Sequence, residues 1–197
     1  MRRLEISAGF VLLIAALYFF DESGLLAAML PAVAVHEAGH LLALAAQGAG
    51  VRRIHADVSG LRIEYYGLLG TPGEVAAALM GPLFGFIYAF AASYIGRRFS
   101  SDFMLFSAGI SLVLTAFNLL PALPMDGGRV CYIILNAAAG EAAAKRAMGV
   151  VGTLVAACLV ALGIWLAKLG MGFALIPAGA WIYVLGRKSL ENMPAMI

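Results

Sequence analysis

Charge is what this chain has least of. Asp, Glu, Lys and Arg make up 12% of its 197 residues, while 63% are hydrophobic and the mean hydropathy is +0.95. A soluble domain of this size would carry about a quarter charged residues, so composition excludes one and points to an integral membrane protein surrounded by lipid bilayer. A net charge of +2 provides no basic surface for a polyanion, and nucleic acid is not an expected partner. Cysteine is scarce as well. Cys131 and Cys158 sit in apolar surroundings, without the spacing of a disulfide framework or a thiolate metal site, and read as packing residues. Solenoid-length repeats and low-complexity tails are missing too. One membrane-embedded domain, residues 1–197, is the simplest organisation. Met1-Arg2-Arg3 begins like a signal peptide, but Phe19-Phe20-Asp21-Glu22 offers no small-residue cleavage site, so a retained first helix is expected.

What is abundant is apolar sequence in blocks. Six can be read, at roughly 6–20, 25–46, 75–95, 103–120, 149–167 and 171–185. They predict an all-α polytopic fold of about six transmembrane helices. The first and last fall short of the ~20 residues that span the hydrocarbon core, a mismatch that bilayer thinning or snorkelling side chains can absorb. In that scheme Arg2, Arg3, Arg52, Arg53, Arg62, Arg129, Lys145, Arg146, Arg187 and Lys188 share one side, and only Arg97, Arg98 and Lys168 the other. This bias predicts a multi-pass protein of the cell membrane with both termini cytoplasmic. Between the second and third blocks, Val51 to Val58 and Leu61 to Tyr66 alternate apolar and polar residues around Ser59-Gly60, the pattern of a β-hairpin. It reads either as a connector or as an edge strand for an extended peptide. His55, alone on that hairpin, reads as a solvated side chain.

Histidine is the rarest chemistry-bearing residue here, with three in the chain, and two of them stand in "VAVHEAGHLLALAAQG", residues 33–48. Ionisable groups are costly inside a bilayer and tend to be kept where they work. His36-Glu37-Ala38-Gly39-His40 matches H-E-x-x-H, whose histidines lie one turn apart on a single helix face and can hold one metal ion. Glu37 is placed to take a proton from a water there. Imidazole pairs suit Zn²⁺, and three protein ligands with an open position make a catalytic centre.

A third ligand is therefore expected. Of eleven acidic residues, seven read as helix-end or loop charges and Glu37 as the base, which leaves Asp57, Glu64 and Asp126. Asp126 stands in "NLLPALPMDGGR", residues 118–129, where Pro121 and Pro124 break the fourth helix and Gly127-Gly128 permit unusual backbone shapes. Irregular backbone at membrane depth is tolerated where protein or a water-filled cavity surrounds it, which favours Asp126. Two neutral imidazoles, one aspartate and a dication leave a single positive charge, which an ionised Glu37 would cancel. A neutral cluster is easier to keep in a low dielectric than any member alone.

His36-Glu37-x-x-His40 on one helix, with Asn118-x-x-Pro121 and Asp126-Gly127 after a later one, resembles the site-2 protease family of intramembrane zinc metalloproteases. The resemblance covers a core of about residues 25–130. It implies hydrolysis of peptide bonds in membrane-associated protein substrates, with one Zn²⁺ held by His36, His40 and Asp126, and Glu37 activating water. It implies that Asn118 binds substrate, helping to position it or to stabilise the intermediate, and a helix-end hydrogen bonder is the other reading of that residue. Gly81-Pro82-Leu83-Phe84-Gly85 resembles a family motif that in many members carries asparagine where this chain has Gly85, so the glycines read as points of close helix approach. The six short crossings resemble the stage IV sporulation subgroup that processes the sigma-K precursor, which implies such a precursor as substrate and a membrane protein as regulator. The CBS domain usual in that subgroup and the PDZ insertion of the envelope-stress subgroup are both lacking, so no ATP response is implied. The competing class is a zinc or other metal-ion transporter. It would need a relay of ligand-bearing helices, and the blocks after residue 130 have no ionisable residue at their centres.

Overall fold

The computed structural model describes residues 4–57 and 60–192. Arg2 and Arg3, used above to orient the chain, and the Val58-Ser59 part of the hairpin turn lie outside the described residues. The chain divides into two compact units, Met1–Ala116 and Phe117–Ile197.

The first unit holds β1 (Leu4–Ile6), α1 (Ala8–Phe20), α2 (Leu25–Ala46), β2 (Gly50–Asp57), β3 (Gly60–Tyr66), α3 (Thr71–Phe99) and most of α4 (Asp102–Asn118). The hairpin is present, β2 antiparallel to β3 with an irregularity between Val51 and Arg53. It gains a third strand, because Leu4–Ile6 pairs parallel with β2 in the order β1-β2-β3, overlapping at Ile6 the apolar block read as the first helix. Alternation in three residues is too short to read, and a partner about fifty residues away supplies the ladder. Ser7 then ends the strand, its N–H donating to Ala56 O and its Oγ accepting from Phe10 N to cap α1. His55 is half-buried rather than solvated. Its Nδ1 lies 3.1 Å from Glu5 Oε2 on β1, and its Nε2 lies 3.2 Å from Glu64 Oε1 on β3, the latter without hydrogen-bond alignment.

α2 and α3 pack along stripes of small residues. Ala28, Ala32, His36, Gly39 and Ala43 are buried on α2, and Ala78, Gly81, Gly85, Ala89, Ala92 and Gly96 on α3. Small side chains let the backbones approach closely, which is how helices gain packing where lipid removes the hydrophobic drive. The two backbones come close at Gly39, where an added Cβ would lie 2.3 Å from Met80 O. α4 is tied in by hydroxyls: Ser107 Oγ donates to Ala28 O at 2.7 Å and lies 2.7 Å from Tyr88 Oη, while Ser111 Oγ donates to Gly85 O at 2.8 Å.

The second unit contains α5 (Asp126–Ala139), α6 (Glu141–Lys168) and α7 (Leu175–Asn192). Its core joins Leu123, Tyr132, Ala144 and Met148, with Cys131 packed against them, whereas Cys158 is exposed on α6 rather than packed. α5 corrects the reading of residues 126–129 as irregular backbone. The sequence 118–129 is irregular only up to Met125, and Gly127 and Gly128 are helical. They are needed for closeness rather than for unusual dihedrals, since a Cβ on Gly127 would meet Leu119 O at 2.2 Å and one on Gly128 would meet the Ala122 carbonyl carbon at 2.3 Å.

Among the described residues three helices, α2, α3 and α6, are long and apolar enough to cross a membrane. Large side chains such as Phe86, Phe90, Leu154 and Trp165 are exposed on them. Apolar surface on that scale calls for a covering, which a bilayer around these helices would provide.

Candidate metal centre

α2 begins with a cap that keeps its register. Gly24, in the left-handed conformation, has no side chain to offer, and Asp21 takes its place: Oδ2 accepts from Leu26 N at 2.7 Å and Oδ1 from Leu25 N at 2.9 Å. Those bonds, with Leu26 the strongest, hold the Asp21 carboxyl below its ordinary value against the opposing effect of desolvation.

Three turns along, His36 is 3% exposed and His40 half-buried. Their Nε2 atoms lie 3.3 Å apart, with ring planes crossing at 79°. Two nitrogens bound to one tetrahedral zinc at ~2.0–2.1 Å sit about 3.3 Å from each other, so the pair already has the span of two ligands. The tautomer of His40 follows from its partner. Nδ1 lies 2.8 Å from Ala77 O, a carbonyl that can only accept, so Nδ1 carries the proton and neutral Nε2 turns a lone pair toward His36.

α3 shapes the space around both rings. A Cβ on Gly81 would lie 2.1 Å from His40 Nε2, and one on Gly85 would lie 3.6 Å from His36 Nδ1. Close helix approach, expected of both glycines, is carried by Gly39, while Gly81 and Gly85 leave room for imidazoles and hydroxyls. Glu37 is half-buried on the same helix as the histidines.

In the second unit Asp126 opens α5 and is 8% exposed. A carboxylate in the first turn of a helix is favoured by the unpaired N–H groups there. Asn118 is the last residue of α4 and half-buried. Of the other acids considered as ligands, Glu64 faces His55, and Asp57 ends β2. Reading the sequence for metal ligands passes over Thr115, buried on α4 one turn from Asn118. The four-residue spacing of Ser107, Ser111 and Thr115 is the signal that could have found it.

A mostly helical scaffold with three helices long and apolar enough to cross a membrane among the described residues, and two imidazoles within reach of one metal ion, defines the class, a helical protein with an H-E-x-x-H motif. The particular relationship comes from comparison with known proteins. Residues 97–162 match Peptidase family M50. A zinc metalloprotease of Methanocaldococcus jannaschii is 26% identical over 156 residues, covering 77% of this chain and 44% of that protein. A candidate zinc metalloprotease of Synechocystis sp. is 31% identical over 120 residues, covering 57% of this chain and 32% of that protein. The chain thus spans less than half the length of these relatives. Among solved structures, the site-2 protease from Methanocaldococcus jannaschii superposes with a TM-score of 0.74 at 23% identity, covering 98% of this chain and 93% of that one. The chain is thus similar over part of its length to zinc metalloproteases, carries a match to Peptidase family M50 over residues 97–162, and has the fold of the site-2 protease structure.

Proposed function

We propose that this chain is a zinc-dependent endopeptidase that cleaves membrane-associated proteins, with His36, His40 and Asp126 as the ligands of one Zn²⁺ and Glu37 as general base. The observation that carries the reading is the 3.3 Å span between the two Nε2 atoms, with His40 held in the ligating tautomer by Ala77. The donor set of two imidazoles and one carboxylate is of a kind that holds zinc in a catalytic site, and homology to zinc metalloproteases supports the same choice. Zinc supplies Lewis acidity, which makes a water more acidic and a scissile carbonyl more electrophilic. Glu37 takes the proton from the attacking water and returns it to the departing amine. Asn118 holds the substrate chain beside the reacting carbonyl.

A helical substrate hides its carbonyls in hydrogen bonds and has to be extended before attack. β1 pairs with β2, so the outer edge of β3 is the margin of the sheet that no described strand takes, and it is suited to hold an extended segment by backbone pairing. The six-crossing arrangement with cytoplasmic termini, and a sigma-factor precursor as substrate, rest on the residue patterns read above. In detergent, wild type should bind one zinc per chain and cleave a membrane-tethered substrate. Glu37→Gln should keep the zinc and lose activity by about 10²–10⁴-fold, whereas His36→Ala and Asp126→Ala should lose both. Full cleavage by Glu37→Gln would remove Glu37 from the role of base, and unchanged zinc in Asp126→Ala would remove Asp126 from the ligands.

A further inference from the structure

His55 stands in the middle strand of the sheet with a carboxylate on either side. Glu5 of β1 is its register partner, and His55 Nδ1 lies 3.1 Å from Glu5 Oε2. On the other side Nε2 lies 3.2 Å from Glu64 Oε1 of β3, shielded from solvent and without a hydrogen bond among the described residues. An ionised carboxylate can only accept. A neutral imidazole has one N–H, so it can serve Glu5 or Glu64 while turning a lone pair on the other. The imidazolium has two and can donate to both.

β1 is the strand on which this difference bears most. It has three residues, with Leu4 and Ile6 each 53% exposed, and it is joined to the sheet by its pairing with β2 and by the bond from Ser7 N to Ala56 O. So short a strand buries little, and the pull on Glu5 is a large part of its attachment. Arg53 also reaches Glu5, at 3.4 Å, and keeps its hold whatever the state of the histidine, which limits the gain from protonation. Arg62 is the register partner of His55 on β3. Of the helices that meet β2, α1 carries no charged residue, and α2 carries Glu37 and the two histidines of the motif.

We propose that His55 is a proton-operated latch for the amino-terminal strand. Protonated, it bridges Glu5 to Glu64 and keeps β1 over the edge of β2; as pH rises and the proton leaves, β1 loosens and that edge opens. Docking of β1 is thereby linked to uptake of a proton, so it is firmest at the acid end of the range over which the ring titrates. The inference concerns the sheet alone and does not draw on the metal centre.

The test is amide hydrogen exchange of the full chain in detergent between about pH 5 and 8, the range in which histidine changes charge, with labelling times scaled for the intrinsic pH dependence of exchange. In wild type the peptide holding residues 4–7 should exchange about two- to fivefold faster at the upper end, the size expected of part-exposed ion pairs. His55→Gln keeps a neutral donor and Glu5→Gln removes the β1 end of the bridge, and in both the corrected rate should be the same across the range. Should either variant fail to fold, the other decides alone. Constant protection in wild type, or a wild-type response to pH in a folded variant, would overturn the latch. A loss of protection shared equally by α3 would overturn it too, since it would mark a general loosening of the chain.

Discussion

At the scale of single residues, the centre depends on side chains that are absent as much as on those present. Gly81 is the sharpest case, because a methyl there would lie 2.1 Å from His40 Nε2 and the ring would have to leave its bond to Ala77 O. Gly81→Ala should therefore cost about 10–100-fold in zinc affinity while circular dichroism keeps its helical signal. His36, Glu37 and His40 were legible in the sequence because ionisable groups one turn apart in an apolar run have few other uses. Thr115 was not. A threonine in an apolar helix looks like any weakly polar residue until it is seen buried, its hydroxyl without a hydrogen-bond partner among the described residues.

At the scale of elements, α2 depends on a carboxylate outside its own span. The Asp21 carboxyl is held low by the N–H groups of Leu26 and Leu25 and by Ser23, so the ionised form favours the folded state. The cap contributes fully above the ordinary aspartate pKa of about 3.9, and its contribution is lost as pH falls through the lowered folded-state value. Asp21→Ala should lower the thermal midpoint at neutral pH, with the gap to wild type closing in acid; an equal deficit at both pH values would mean the charge is not the cause. The helices of the first unit could be read from apolar block length, within a few residues at their ends. α5 and β1 could not. α5 follows two prolines and has mixed polarity, with Arg129 and Asn136 among its residues, so no long apolar run announces it. β1 has three residues, and only its pairing with β2 makes it a strand.

At the scale of the whole molecule, the donors on which the function is proposed are far apart in sequence, histidines near residue 40 and Asp126 after the fourth helix. Zinc that binds the folded chain and not the unfolded one adds stability by mass action. At a free concentration of about 100 times the dissociation constant this amounts to about 2.7 kcal/mol. The melting midpoint in detergent should rise with zinc and fall with a chelator, and His36→Ala should show neither response; a midpoint indifferent to zinc in the wild type would argue against a bound ion. The order β1-β2-β3 has its own corollary. Because Leu4–Ile6 lies along one flank of the ribbon, the proposed pairing of an extended substrate with the other flank would not dislodge it. On that proposal a fusion ahead of Leu4 should leave cleavage intact, while a ligand clipped along Gly60–Tyr66 should block it and leave zinc binding unchanged.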